Sequence, residues 1–371
     1  MTRCRTTDVV VVGGGLVGLA VAWRAARRGM LVTVCDPEPG RAASWAAAGM
    51  LAPVTECAPG EEALTALGLA SLRRWASFAA ELAEDSVVDI GLRTEGTLAV
   101  AFDDDDRRAL GELVRLHRSL GLDSDWLSRR ECRQREPLLT PQVCGGVLAR
   151  GDHSVDTRCL VGALSEAASR RGVGWEHQQV PRVVVQSGTA TGVELADGRR
   201  LAAGQVVVAA GPWSGRLDGL PPDALPPVRP VKGEILRLRG HPGAPVVTGT
   251  VRARVHRWPV YLVPRRSGEL VVGASMEEAG FDIGVRAGAV FELLRAAVTM
   301  VPAVGELELV EAIARLRPGT PDNGPILGPT TVAGLLLATG HHRNGVLLTP
   351  VTADALESCL LGQPVTGPAG A

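Results

Sequence analysis

Asp8-Val-Val-Val-Val-Gly13-Gly14-Gly15-Leu16-Val17-Gly18 is an apolar run that meets glycines spaced G-x-G-x-x-G. A helical pattern follows over residues 19–28, and Gly29 stops it. A second apolar run, residues 31–35, ends on Asp36, 23 residues after Gly13. Strand, tight turn, helix, strand and acid stand in the order that a dinucleotide-binding βαβ unit requires. Gly13 permits the turn, Gly15 lets the backbone approach a pyrophosphate, and Gly18 lets helix and strand pack closely. The free N–H groups and the positive dipole end of the helix face the phosphates. Asp36 can accept hydrogen bonds from both ribose hydroxyls and would repel a 2′-phosphate.

A signal peptide is the competing reading of this segment, because residues 9–23 are almost uncharged and Arg3 and Arg5 precede them. Three consecutive glycines break the apolar centre that such a peptide needs, and the stretch is too short to span a membrane. The expectation is therefore a cytoplasmic protein. The composition agrees: 371 residues, 46% hydrophobic and 21% charged, describe a globular chain long enough for two domains. A net charge of −1 leaves no electrostatic footprint for nucleic acid or an anionic membrane surface. The seven cysteines (4, 35, 57, 132, 144, 159, 359) form no C-x-x-C pair and read as reduced thiols. Lys232 is the only lysine among 39 basic residues, so a single arginine carries little information without a specific context.

Further along, small residues dominate from Ala42 to Gly49, a density that lets backbone lie against a flat ligand. Residues 61–84 read as an amphipathic helix and residues 96–102 as a strand. The acids from Asp103 onward read as the N-terminus of a helix rather than a metal site. A helix over residues 157–171 precedes a hairpin with an Asp197-Gly198 turn. Two more buried strands run into glycine, at residues 206–211 and 335–340. Ligands sit outside the carboxyl ends of such strands in a doubly wound sheet. The fold class is thus α/β (α+β overall), with a discontinuous Rossmann-like domain over 1–85, 145–225 and 310–371. A β-rich substrate domain takes 86–144 and 226–309.

Several later segments occur together with the first unit. They are Ala46-Ala-Ala-Gly-Met-Leu-Ala-Pro53, Gly151-Asp-His-Ser-Val-Asp156, Ala209-Ala-Gly-Pro-Trp-Ser214, Pro230-Val-Lys-Gly-Glu234, Arg317-Pro-Gly-Thr320 and Gly340-His-His-Arg-Asn-Gly345. In this order they resemble the FAD-dependent amine and amino-acid oxidases, and among them the glycine oxidases of thiamine biosynthesis. The resemblance implies an FAD-binding domain of the glutathione-reductase type. It also implies hydride transfer from the substrate Cα to FAD, with O2 as acceptor. Glycine, sarcosine or a small D-amino acid would then give a 2-oxo acid, ammonia or an amine, and H2O2.

The resemblance assigns substrate contacts to Arg317 as carboxylate anchor, to Tyr261, the chain's only tyrosine, and to Met276 and Arg343. Asp36 and Pro37 would lie by the adenosine ribose, and Leu16 and Val17 by the pyrophosphate. Ala43 and Ser44 would follow the ribityl chain, with Ala48, Gly49 and Met50 near the ring. Val180 would hold adenine through its backbone, Gly211, His341 and His342 would also contact the cofactor, Arg343 would lie near substrate and flavin, and the backbone of Asn344, Gly345, Val346 and Leu347 would face the isoalloxazine. Neither histidine is assigned as a base, since hydride transfer removes no proton from carbon. Lys232 is expected to be structural rather than oxygen-activating. The family's histidine two residues before the pocket tyrosine is Pro259 here, and no cysteine stands where related sarcosine oxidases tether flavin, so FAD is expected to be noncovalent. Family members are often tetramers. The alternatives are a D-amino-acid or sarcosine dehydrogenase using a quinone or carrier, a flavin hydroxylase, and a flavin-binding protein without turnover.

Overall fold

The structure is a computed structural model that describes residues 7–256 and 258–365. Arg3, Cys4 and Arg5 lie outside the described residues. The first apolar run forms the strand Thr7–Val12, and the glycine turn leads into the helix Leu16–Arg27. Val32–Cys35 follows as the next strand. These elements build one of two eight-stranded sheets. Its main order is Ile326–Pro329, Leu335–Thr339, Arg200–Val208, Thr7–Val12, Val32–Cys35, Gly174–Glu176. The three strands expected to end in glycine turns are neighbours here, in parallel register: Val10 pairs with Val206, and Val206 with Leu335. Their carboxyl ends therefore open on one crevice.

Alternation decides what each face of this sheet meets. Val9 and Val11 face a helical layer with Leu19, Trp23, Phe78, Leu164 and Leu356. Val10 and Val12 face the opposite layer, with Val183 and Val193 of the hairpin Arg182–Gln186 and Thr189–Glu194. That layering is the Rossmann-like arrangement expected from the sequence.

The second sheet runs Glu308–Gly319, Arg229–Arg239, Glu269–Gly273, Trp258–Pro264, Thr250–Val255, Thr97–Ala101, Gly145–Ala149, Asp125–Ser128. Leu236, Leu262 and Val272 bury one face against the helix Ala287–Met300 through Leu293, Ala296 and Met300. Two sequence boundaries need correction. Gly145–Ala149 and Glu308–Gly319 belong to this second sheet, so the breaks placed at 145 and 310 assign both strands to the wrong sheet. The pairings that hold them are long-range and leave no local trace in the chain.

The acids after Phe102 do open a helix, Asp104–Ser119, with the Asp103 side chain accepting from the Asp106 N–H at 2.8 Å. No group of three or more His, Cys, Asp or Glu suited to a metal ion occurs among the described residues. No helix among them is long and apolar enough to cross a membrane.

At the first turn, Gly13 has φ +106°, a conformation that favours glycine. A Cβ at Gly18 would overlap the Gly13 carbonyl oxygen, so strand and helix meet backbone to backbone. Gly18→Ala should therefore force the helix off the strand and destabilise the protein by about 1–3 kcal/mol, as overpacking does. A lower midpoint in thermal unfolding is the expected result; an unchanged midpoint would contradict this packing.

Candidate active site

After Val32–Cys35 the chain crosses the amino end of the first helix. Ser44 Oγ accepts from the Leu16 N–H at 3.0 Å, placing the short helix Ala43–Ala46 against the glycine turn. The Asp36 carboxylate accepts from the Gly14 N–H at 2.7 Å and the Glu38 N–H at 2.8 Å. Each oxygen keeps a further lone pair, so it can still accept from a ribose. Pro37 is exposed beside it.

The small-residue segment then runs between the two sheets, gripped by arginines that sequence reasoning passed over. Arg265 donates to the Ala48 carbonyl at 2.7 Å and the Val155 carbonyl at 2.9 Å. Arg237 and Arg158 each reach the Trp45 carbonyl at 3.3 Å, and Arg315 reaches that of Arg41 at 3.0 Å. Arg265 and Arg237 are buried. Burial lowers the Arg265 guanidinium to about 10, which leaves it charged at neutral pH. The strong arginine bias of the composition hid these roles.

The second sheet supplies the opposite wall. Tyr261 pairs with Gly273, Gly273 with Ile235, Ile235 with Ile313, and Val231 with Arg317. Side chains alternate along strands, so Tyr261, Gly273, Ile235, Ile313 and Arg317 share one face. Ile235 and Ile313 pack there against Ala46 and Ala48. Glycines clear the space for the two polar groups: a Cβ at Gly273 would overlap the Tyr261 hydroxyl, and one at Gly233 the Arg317 guanidinium. Arg317 Nη1 faces the Ser275 carbonyl at 3.3 Å and the Lys232 carbonyl at 3.5 Å, and no carboxylate pairs with Arg317 among the described residues. Burial pushes the Tyr261 phenol up to about 12, although the Arg317 charge pulls it down, so it is a neutral donor.

Residues 8–358 match the family described as FAD dependent oxidoreductase (DAO). The chain belongs to that family. It is 34% identical to a glycine oxidase of Geobacillus kaustophilus, over 94% of this chain and 93% of the relative. The crystal structure of glycine oxidase from Geobacillus kaustophilus superimposes with a TM-score of 0.88 at 32% identity, covering 96% of this chain and 95% of that one. The bifunctional protein ThiO/ThiG of Synechocystis sp. is also 34% identical, over 97% of this chain. The chain spans 52% of that relative's length, about half of the bifunctional protein.

The features present fit the family's FAD. Neither the N–H nor the carbonyl of Val180 has a hydrogen-bond partner among the described residues, as an adenine contact requires. Gly211, at φ +54°, has open space where a Cβ would stand, and its carbonyl accepts from Thr339 Oγ1 at 3.1 Å. The N–H groups of Gly345, Val346 and Leu347 also lack partners, just ahead of the helix Thr349–Leu360. Together with the helix dipole they offer donors to the electron-rich edge of a flavin.

Some assigned residues sit differently from the expectation. His341 points into the core, with Nε2 2.9 Å from Thr352 Oγ1, so its side chain is not a cofactor contact. The Val346 and Leu347 side chains are likewise core, and Leu347 offers its carbonyl to Ser71 and Trp75. Asn344 is buried within the turn, and its backbone carbonyl accepts from the Leu348 N–H at 2.8 Å. Val17 packs partly against the helical core. Arg343 pairs with Glu61 at 2.6 Å. Met276, next to Ser275 in the chain, is 71% exposed. His342 adopts a left-handed backbone conformation, with φ +46°. Burial, with the Arg317, Arg343 and Arg229 charges, lowers it to about 4, so it is neutral at working pH.

Burial also lowers His341 to about 4, so the folded state holds this ring neutral. The unfolded chain binds that proton at about 6.5, so His341 makes the fold less stable as pH falls from about 6.5 to 4, by up to about 3 kcal/mol. His341→Gln, which can still meet Thr352, should remove this contribution. Urea midpoints of variant and parent should converge, or cross in the variant's favour, between pH 7 and pH 4.5; a constant gap would refute the assignment.

Proposed function

We propose that the chain is a glycine oxidase, acting on glycine and other small amines. The observation that carries this reading is the Arg317 guanidinium beside Tyr261, unpaired by any described carboxylate, on the sheet face that packs against the small-residue segment. A planar guanidinium takes a carboxylate through two parallel hydrogen bonds. The neutral Tyr261 hydroxyl can donate a further bond to the same group. An amino acid held so has its Cα directed away from the second sheet, toward the segment of Ala46 and Ala48. Fixing both reactants in this way is the protein's main contribution. Noncovalently bound FAD would supply the hydride acceptor for the substrate Cα–H and the route of the electrons to O2. Glycine, O2 and water then give glyoxylate, ammonia and H2O2. His342, kept neutral, adds no charge that would repel an ammonium group.

The fused ThiO/ThiG architecture of the Synechocystis relative supports a place in thiamine biosynthesis. The six described cysteines are unpaired, which supports a reducing, cytoplasmic setting.

Arg317→Leu tests the reading. Loss of a charged, bidentate contact should lower kcat/KM for glycine by about a thousandfold or more while FAD stays bound. Peroxide release in air and flavin absorbance measure the two properties. A variant that oxidises glycine like the parent would exclude the assignment.

A further inference from the structure

We propose that Glu234 and Ser275 are positioning residues that aim the Arg317 guanidinium from behind the sheet. The inference rests on reading Arg317 as the carboxylate anchor. Odd residues of Arg229–Arg239 face the small-residue segment, so Lys232 and Glu234 point away from it, and both are fully buried. Ser275 stands between Glu234 and the anchor. Its hydroxyl donates to Glu234 Oε2 at 2.7 Å and accepts from the Glu234 N–H at 2.9 Å. Its own N–H donates to the Glu234 carbonyl at 3.3 Å. The Ser275 carbonyl is then the nearer of the two that face Arg317 Nη1.

The other carboxylate oxygen, Glu234 Oε1, accepts from the Arg286 N–H at 2.7 Å. Lys232 Nζ lies 3.9 Å from that oxygen and 3.3 Å from Asp282 Oδ2, and it also donates to the Gly284 carbonyl. The Lys232 backbone exchanges two bonds with Glu277, at 2.8 and 3.0 Å. Residues 275–286 are thereby fastened at five points, four of them by two neighbouring buried charges and one by the Lys232 backbone. A buried ion pair is a poor stabiliser, and apolar residues of similar volume often serve stability as well or better. What this pair supplies is position. No carboxylate among the described residues orients Arg317, so the plane of its guanidinium is set at Nη1 by the Ser275 and Lys232 carbonyls.

The test compares carboxylate affinity with turnover in FAD-loaded protein. Ser275→Ala removes one oxygen and keeps the ion pair; Glu234→Gln keeps volume but loses the second carboxylate acceptor. Both should raise KM for glycine about tenfold with kcat within about twofold. The Kd of glycolate, read from the flavin spectrum, should rise by the same factor. A purely structural role would lower the thermal midpoint and leave glycolate affinity unchanged. Unchanged glycolate affinity in Ser275→Ala, the milder change, overturns the proposal. Arg317→Leu is the separate control. If it leaves glycolate binding intact, the anchor reading itself fails; if it abolishes binding while Ser275→Ala does not alter it, only the positioning role fails.

Discussion

The Arg265 guanidinium, inserted between two sheets, is the contact on which the site depends. It lies just beyond the strand Trp258–Pro264 and binds the carbonyls of Ala48 and Val155. The Val155 N–H in turn meets the Gly49 carbonyl at 2.8 Å. Gly49 must be glycine, at φ +74°, because a Cβ would overlap the Val155 oxygen. Burying a guanidinium is costly unless its donors are met. Here two carbonyls meet the terminal nitrogens, and Asp156 lies 3.7 Å from Nε. The charge thus fixes the small-residue segment against the second sheet. The distance between the helix end at Leu16 and the wall bearing Tyr261 and Arg317 follows from that.

Elements with local periodicity were legible in the chain. The first βαβ unit, the Asp104–Ser119 helix and the three apolar strands ending in glycine all have short-range patterns, and the structure places those strands side by side. Glu308–Gly319 was not legible as part of the second sheet. Its sequence mixes charged and apolar residues without a clear period of two, and its partner, Arg229–Arg239, lies across three strands and a helix. Nothing local says which sheet such a strand joins. The small-residue segment was readable by composition, but the arginines that fasten it were not, because arginine is nearly the only cation the chain uses.

The site shows the same division. Arg317 and Tyr261 came from motif resemblance, and register alone then explains why they meet: both occupy the face of Ile235 and Ile313. The run from His341 to Leu347 matched the family as a block, yet its side chains part company. His341 enters the core, while His342, in a left-handed conformation, stands near Arg317. A motif gives the order of residues; backbone dihedrals decide which of them reach the site.

Charge balance explains how one arginine among so many becomes selective. Arg343 is matched by Glu61, and Arg252 lies 3.5 Å from Glu56. Lys232 is matched by Asp282 and turned away from the pocket. His342 is held neutral. Each of these neighbouring cations is thus either paired or silenced, whereas Arg317 has no carboxylate partner among the described residues and, on the proposed reading, takes its counter-ion from the substrate. In surroundings less polar than water the attraction between that guanidinium and an incoming carboxylate is strengthened. An amine lacking a carboxylate would leave this half-buried charge unmatched, a penalty that falls on the wrong ligand without any further contact to reject it.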